Sequence, residues 1–131
     1  MSSIIESAKA LMPKLSKIRR DFHEYPETSQ NEVETSKKVA AYLKEMGCDE
    51  VIENVGGHGV IGIIHGAKEG KVVGLRADMD ALPVQEKTGL PYASKTPGVM
   101  HACGHDVHTS NLLTVAEILN RTKDQWSGKG K

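Results

Sequence analysis

The chain has 131 residues, 17 Lys or Arg against 17 Asp or Glu, and only 4% aromatic residues. That length suits one small domain with a modest core. Zero formal net charge gives no basic field for nucleic acid, and the scarcity of aromatics gives no stacking platform for bases.

No apolar run is long enough for a membrane-spanning helix, and residues 1–7 lack the basic and apolar regions of a secretory leader. A cytoplasmic setting is the expectation. The two cysteines, Cys48 and Cys103, lie in unlike contexts and are expected to stay reduced.

Residues 3–24 carry apolar side chains at Ile4, Ala8, Leu11, Leu15, Ile18 and Phe22, the spacing of one helix face. Pro13 predicts a kink or a fresh start, and His23-Glu24-Tyr25-Pro26 predicts the end, because a residue before proline avoids helical geometry. His23 is read as a helix-end side chain near carbonyls. Asn31 with Glu34 resembles a capping box for a helix over 32–46, which Gly47 terminates. Cys48 beyond it reads as a small, partly buried side chain.

Three strand candidates follow, at 51–53, 60–64 and 71–77. Residues 67–70 are short enough to join the last two as an antiparallel hairpin, and near-continuous apolar character predicts a sheet covered on both faces. His58 and His65 flank the second strand and are read as ordinary surface histidines. Residues 84–99 show no period and hold two Pro and two Gly, a long loop of the kind that often carries function. A last helix begins near Asp106 or Val107 and runs to about Arg121. The stretch 122–131 reads as a polar tail apart from Trp126. The order ααβββα predicts an α/β fold, helices packed on a mixed sheet that is incomplete.

Two segments hold the chemistry. Asp78 and Asp80 sit two apart at the end of a strand candidate, so both carboxylates can leave on one face. Residues 100–108, Met-His-Ala-Cys-Gly-His-Asp-Val-His, crowd His101, Cys103, His105, Asp106 and His108 into one short stretch. Cys103 and His105 share the same two-residue spacing, with Gly104 allowing a tight bend between them. A thiolate with an imidazole suits Zn²⁺, and added carboxylates suit Mn²⁺ or Co²⁺. The bland alternative is a helix start with a buried Cys and capping polar groups. A thiol-redox protein is disfavoured by the lack of Cys-x-x-Cys.

Residues 76–83 and 100–108 together resemble the signatures of the amidohydrolase branch of the aminoacylase-like metallopeptidases. That branch includes hippurate hydrolases, N-acetyldiaminopimelate deacetylases and the indole-acetyl amino acid hydrolases of plants. Residues 18–27 are similar to the end of that family's N-terminal helix. The resemblance implies a zinc-peptidase-like catalytic domain with two divalent ions per complete site, Mn or Zn, with Co or Ni also acceptable. By position, Cys103 and His105 correspond to metal ligands and Asp80 to the catalytic acid that supports a ligand. Asp78 stands where relatives place a ligating His, and His101, Asp106 and His108 are further candidates for ligands or their supports.

The implied reaction is hydrolysis of an amide bond in a small N-acyl amino acid, hippurate-like or acetylated. The implied assembly of a full-length relative is a homo-oligomer. The family's Glu-Glu motif, with the general base, and its later histidine ligands would lie beyond Lys131. Residues 1–131 are therefore expected to be the N-terminal part of the catalytic domain, without the dimerisation or lid domain, weak in metal binding and inactive alone. The alternative is a catalytically inactive truncated remnant or a small metal- or partner-binding module.

Overall fold

Ser3 starts the first helix by a reciprocal cap. Its hydroxyl accepts the Glu6 N–H at 3.1 Å, and its own N–H donates to Glu6 Oε2 at 2.8 Å. The computed structural model describes residues 3–131; Met1 and Ser2, part of the stretch read for a leader, lie outside the described residues. The helix, α1 (Ile4–Glu24), runs through Pro13 without breaking. Pro13 and Lys9 are both exposed, so the Lys9 carbonyl that loses its intrahelical donor faces water.

The second helix, α2 (Val33–Glu45), is not capped by Asn31 and Glu34. Glu27 does that work instead: Oε1 accepts the Thr35 N–H at 2.5 Å and Oε2 accepts the Glu34 N–H at 3.2 Å. A carboxylate at a helix N-terminus satisfies free donors and opposes the positive end of the dipole. Asn31 is spent locally on Thr28 and Ser29, and Glu34 on Lys37. Gly47 ends the helix at φ +90°, as its position implies.

The strands are β1 (Glu50–Val55), β2 (Gly59–His65), β3 (Lys68–Val73) and β4 (Ser127–Gly130), with α3 (His105–Arg121) and a short 3₁₀ turn, Lys123–Gln125, between the last two. The expected hairpin of β2 with β3 does not form. The sheet order is β1-β2-β4-β3, so β4 separates them, antiparallel to β2 and parallel to β3. The reason lies at residues 66–67, whose N–H groups donate to Gly128 O and Trp126 O, each at 2.9 Å. The chain leaving β2 is thus already tied to the segment read as a polar tail, and β3 starts three residues earlier than the apolar pattern suggests. Residues 74–77, the second half of the expected strand, lie outside any strand.

Nor is the sheet covered on both faces. Residues of β3 are exposed throughout, and β1 is mostly exposed. Helices α2 and α3 lie against β2, and α1 packs on α3. The core gathers there, with Ile18, Phe22, Val39, Leu43, Met46, Ile64, Leu113 and Ala116 in one cluster. Phe22 is 2% exposed and meets Tyr42 edge-on at 6.2 Å. Phe22→Ala should destabilise the chain by about 3 kcal/mol or more in urea denaturation; a change below about 1 kcal/mol would show that the helices do not pack around this ring.

Candidate metal centre

Two backbone pairings staple the chemical segments to the scaffold. Leu82 and Met100 exchange hydrogen bonds of 2.9 and 3.0 Å, and the Ala81 N–H donates to Glu27 O at 2.8 Å. Residues 78–82 and 100–105 are thereby held side by side. Gly104 adopts φ +95° just before α3, so the chain turns sharply between Cys103 and the first helical residue, His105.

His105 is the junction. Its Nδ1 lies 2.8 Å from Asp80 Oδ1 and 3.1 Å from Asp80 O, so Nδ1–H donates to the Asp80 carboxylate. In the neutral ring Nε2 then carries the free lone pair and is the atom available to an ion. Asp78 Oδ2 stands 3.9 Å from that nitrogen, while Asp78 Oδ1 takes Arg76 Nη2 at 2.5 Å. Both carboxylates of the Asp-x-Asp pair therefore converge on one imidazole. They also line an open cleft with Arg76, Gln30, Glu32 and His58. His58, expected to be an ordinary surface residue, borders the cleft because the β1–β2 turn folds over toward residues 76–80.

The other candidates divide. Cys103 is exposed and free, two residues from His105. His108 is exposed on α3, its ring 5.7 Å from that of His105. His101 is buried, and burial pushes its ring down to about 4, so it is neutral near pH 7. Its Nδ1 has no hydrogen-bond partner among the described residues. Asp106 turns inward and is 1% exposed. Cys48, by contrast with Cys103, is half-buried; burial pushes its thiol up, and Asn120 Nδ2 lies 3.6 Å from its sulfur.

Behind the site lies a network that the sequence did not disclose. His23 Nδ1 is 2.8 Å from Asp106 Oδ2 and Nε2 is 2.9 Å from Glu86 Oε1, all of them buried. Both ring nitrogens therefore face carboxylate oxygens, one on α3 and one on the long loop. Arg19 Nε adds an ion pair to Asp106 Oδ2 at 2.8 Å, without the alignment of a hydrogen bond. The partners of His23 lie 63 and 83 residues away, beyond any local spacing signal.

The donor set fits a divalent ion in part. An exposed thiol and an imidazole oriented by a carboxylate are suitable ligands, with Asp78 beside them. Among the described residues no three His, Cys, Asp or Glu side chains converge closely enough to hold an ion by themselves.

Residues 74–131 match the family model for peptidase family M20/M25/M40. The N-acetylcysteine deacetylase of Bacillus subtilis is 46% identical over 92% of this chain and 32% of its own length. The hippurate hydrolase of Campylobacter jejuni is 50% identical over 89% of this chain and 30% of its own length. The chain thus spans about three-tenths of the length of such relatives. The crystal structure of the Bacillus subtilis YXEP protein, a dinuclear metal-binding peptidase of the M20 family, superposes with a TM-score of 0.87 at 46% identity. It covers 93% of this chain and 34% of that one.

Burial raises the Glu86 carboxyl, but donation from Thr88, the Ser94 N–H and His23 outweighs it and holds the group below its ordinary 4.5. A lowered folded pKa stabilises the fold fully above about 4.5, and that contribution is lost as pH falls through the folded value. Thermal melts from pH 7 to pH 3 should therefore show Glu86→Gln less stable than the native chain at pH 7 and flatter below about pH 4.5. Parallel profiles would show that Glu86 contributes nothing through its charge.

Proposed function

The chain belongs to peptidase family M20/M25/M40, and from that premise we propose that it supplies part of the active site of a metal-dependent amidohydrolase. The substrate class is a small N-acyl amino acid, cleaved to a carboxylic acid and a free amino acid. The observation that carries this reading is the Asp80–His105 hydrogen bond beside Cys103.

Cys103 and His105 would serve as protein ligands to a divalent ion, Mn²⁺ or Zn²⁺, with Co²⁺ or Ni²⁺ as substitutes. An ion held there supplies Lewis-acid polarisation of the amide carbonyl and lowers the pKa of the attacking water. Asp80 fixes the tautomer and tilt of His105, leaving Nε2 as the nitrogen that would ligate the ion. Asp78 sits close enough to His105 Nε2 to join the ligand set after a side-chain rotation away from Arg76. His108 borders the site from α3, while Asp106 and His101 support it from the interior rather than as ligands.

Two sound protein ligands are too few to fix a full coordination shell, so binding by this chain is weak, and amide turnover needs further ligands and a general base. A complete protein would carry two ions per site and assemble as a homo-oligomer in the cytoplasm. No helix among the described residues is long and apolar enough to cross a membrane.

Isothermal titration with Zn²⁺ and Mn²⁺, paired with hydrolysis assays on hippurate and N-acetylcysteine, tests the reading. The native chain should bind Zn²⁺, and Cys103→Ser or His105→Ala should each weaken that binding by about tenfold or more. Asp80→Asn should weaken it about tenfold by freeing the ring. Hydrolysis by the isolated chain should stay at background. Unchanged Zn²⁺ affinity in both ligand variants would refute the site, and robust turnover by the chain alone would refute its partial character.

A further inference from the structure

Helix α3 starts at Gly104 without a side-chain cap. Its first turn takes its direction from groups further in. Asp106 is buried, and its Oδ2 lies 2.8 Å from His23 Nδ1. Ser110, also buried, donates its hydroxyl to Asp106 O at 2.6 Å, and the Thr109 hydroxyl donates to Asp78 O at 2.9 Å. Successive side chains leave a helix about 100° apart. A carboxylate anchored inward at Asp106 thus sets the bearing of the His105 imidazole, whose Nδ1 reaches Asp80 Oδ1 at 2.8 Å.

The other nitrogen of His23 acts on the opposite end of the same segment. Nε2 lies 2.9 Å from Glu86 Oε1, and that oxygen also accepts the Ser94 N–H at 2.9 Å. The Lys95 N–H donates to Glu24 O, next to His23. The chain running into residues 100–105 is held there, and the chain leaving them is held at Asp106. The same stretch packs around the ring: Tyr92 meets it edge-on with centroids 5.7 Å apart, and His101 lies at 6.4 Å. A buried ring engaged at both nitrogens cannot turn without releasing both ends. None of its hydrogen-bond partners lines the cleft beside Asp78 and Asp80, so His23 acts on the site through other residues.

We propose that His23 is a positioning residue. One buried ring brackets residues 86–106, and its Nδ1 contact with Asp106 sets the direction in which His105 presents its outer nitrogen. The consequence for ion binding rests on the reading of His105 as a metal ligand, whereas the control of ring direction does not.

Asparagine and glutamine separate the two arms, because the amide of asparagine reaches the place of Nδ1 and that of glutamine the place of Nε2. His23→Asn should keep the contact with Asp106 and lose the one with Glu86, and His23→Gln should do the reverse. Long-range proton–nitrogen NMR of the histidine rings, in the metal-free chain of 131 residues at about pH 8, reads the tautomer of His105. The native chain and His23→Asn should show a single His105 tautomer, with the proton on Nδ1 facing Asp80. In His23→Gln the tautomers should average, and Zn²⁺ affinity should fall about tenfold or more, while His23→Asn stays close to native. Asp106→Ala should reproduce the result of His23→Gln. An unchanged His105 tautomer in folded His23→Gln or folded Asp106→Ala, or equal losses in His23→Asn and His23→Gln, would overturn the proposal. So would unfolding of both His23→Gln and Asp106→Ala by circular dichroism, since the pair would then serve the core as a whole. The ring spectra need no metal, so a native chain that fails to bind Zn²⁺ would count against the metal reading and leave the role of His23 to be decided by the spectra.

Discussion

A buried imidazole between two buried carboxylates holds the working half of this fold in place. His23 ends α1, Glu86 opens the long loop and Asp106 begins α3. Ions removed from water are costly unless paired, and losing one partner leaves an uncompensated charge. The three segments are thereby bound to one arrangement. Glu86 extends the tie through Thr88 and the Ser94 N–H, which orders a loop lacking regular structure. Asp106 is also the neighbour of His105, so the same cluster that fixes the helix start fixes the direction in which the outer imidazole leaves it.

Outside that cluster the site is built by successive short constraints. The Leu82–Met100 pairing aligns two segments that are distant in sequence, and Gly104 turns the chain so that Cys103 and His105 face outward. Asp80 then orients His105 while Asp78 waits at the cleft beside Arg76. Each link uses backbone geometry or a charged hydrogen bond, and these are stronger than neutral ones. The stretch that carries both aspartates lies outside any strand and is held instead by the Thr109 hydroxyl, which donates to Asp78 O at 2.9 Å, and by the Ala81 N–H on Glu27 O.

Much of this was legible in advance. Periodic apolar residues marked all three helices, Gly47 marked the end of α2, and the spacing of Asp78, Asp80, Cys103 and His105 marked the segments that meet. The misses share a physical cause. Pro13 suggested a kink or a fresh start, and the fresh start does not occur because an exposed carbonyl tolerates the lost donor. Asn31 and Glu34 fitted a capping box, yet Glu27, earlier in the chain, reached the same donors. The pairing of β2 with β3 was drawn from a short connection, whereas Gly128 and Trp126, some sixty residues on, took the hydrogen bonds of residues 66 and 67. His23 was read by its helix-end position, and its role depends on acids far along the chain. Local pattern states what an element is; partners at long range decide what it binds.

X-ray absorption spectroscopy of the Zn²⁺-loaded chain would show whether Cys103 and His105 ligate one divalent ion. The spectrum should contain one sulfur scatterer at about 2.3 Å together with imidazole nitrogen at about 2.0 Å, and Cys103→Ser should lose the sulfur shell alone. A shell of oxygen only, or a sulfur shell that survives in Cys103→Ser, would contradict that ligation.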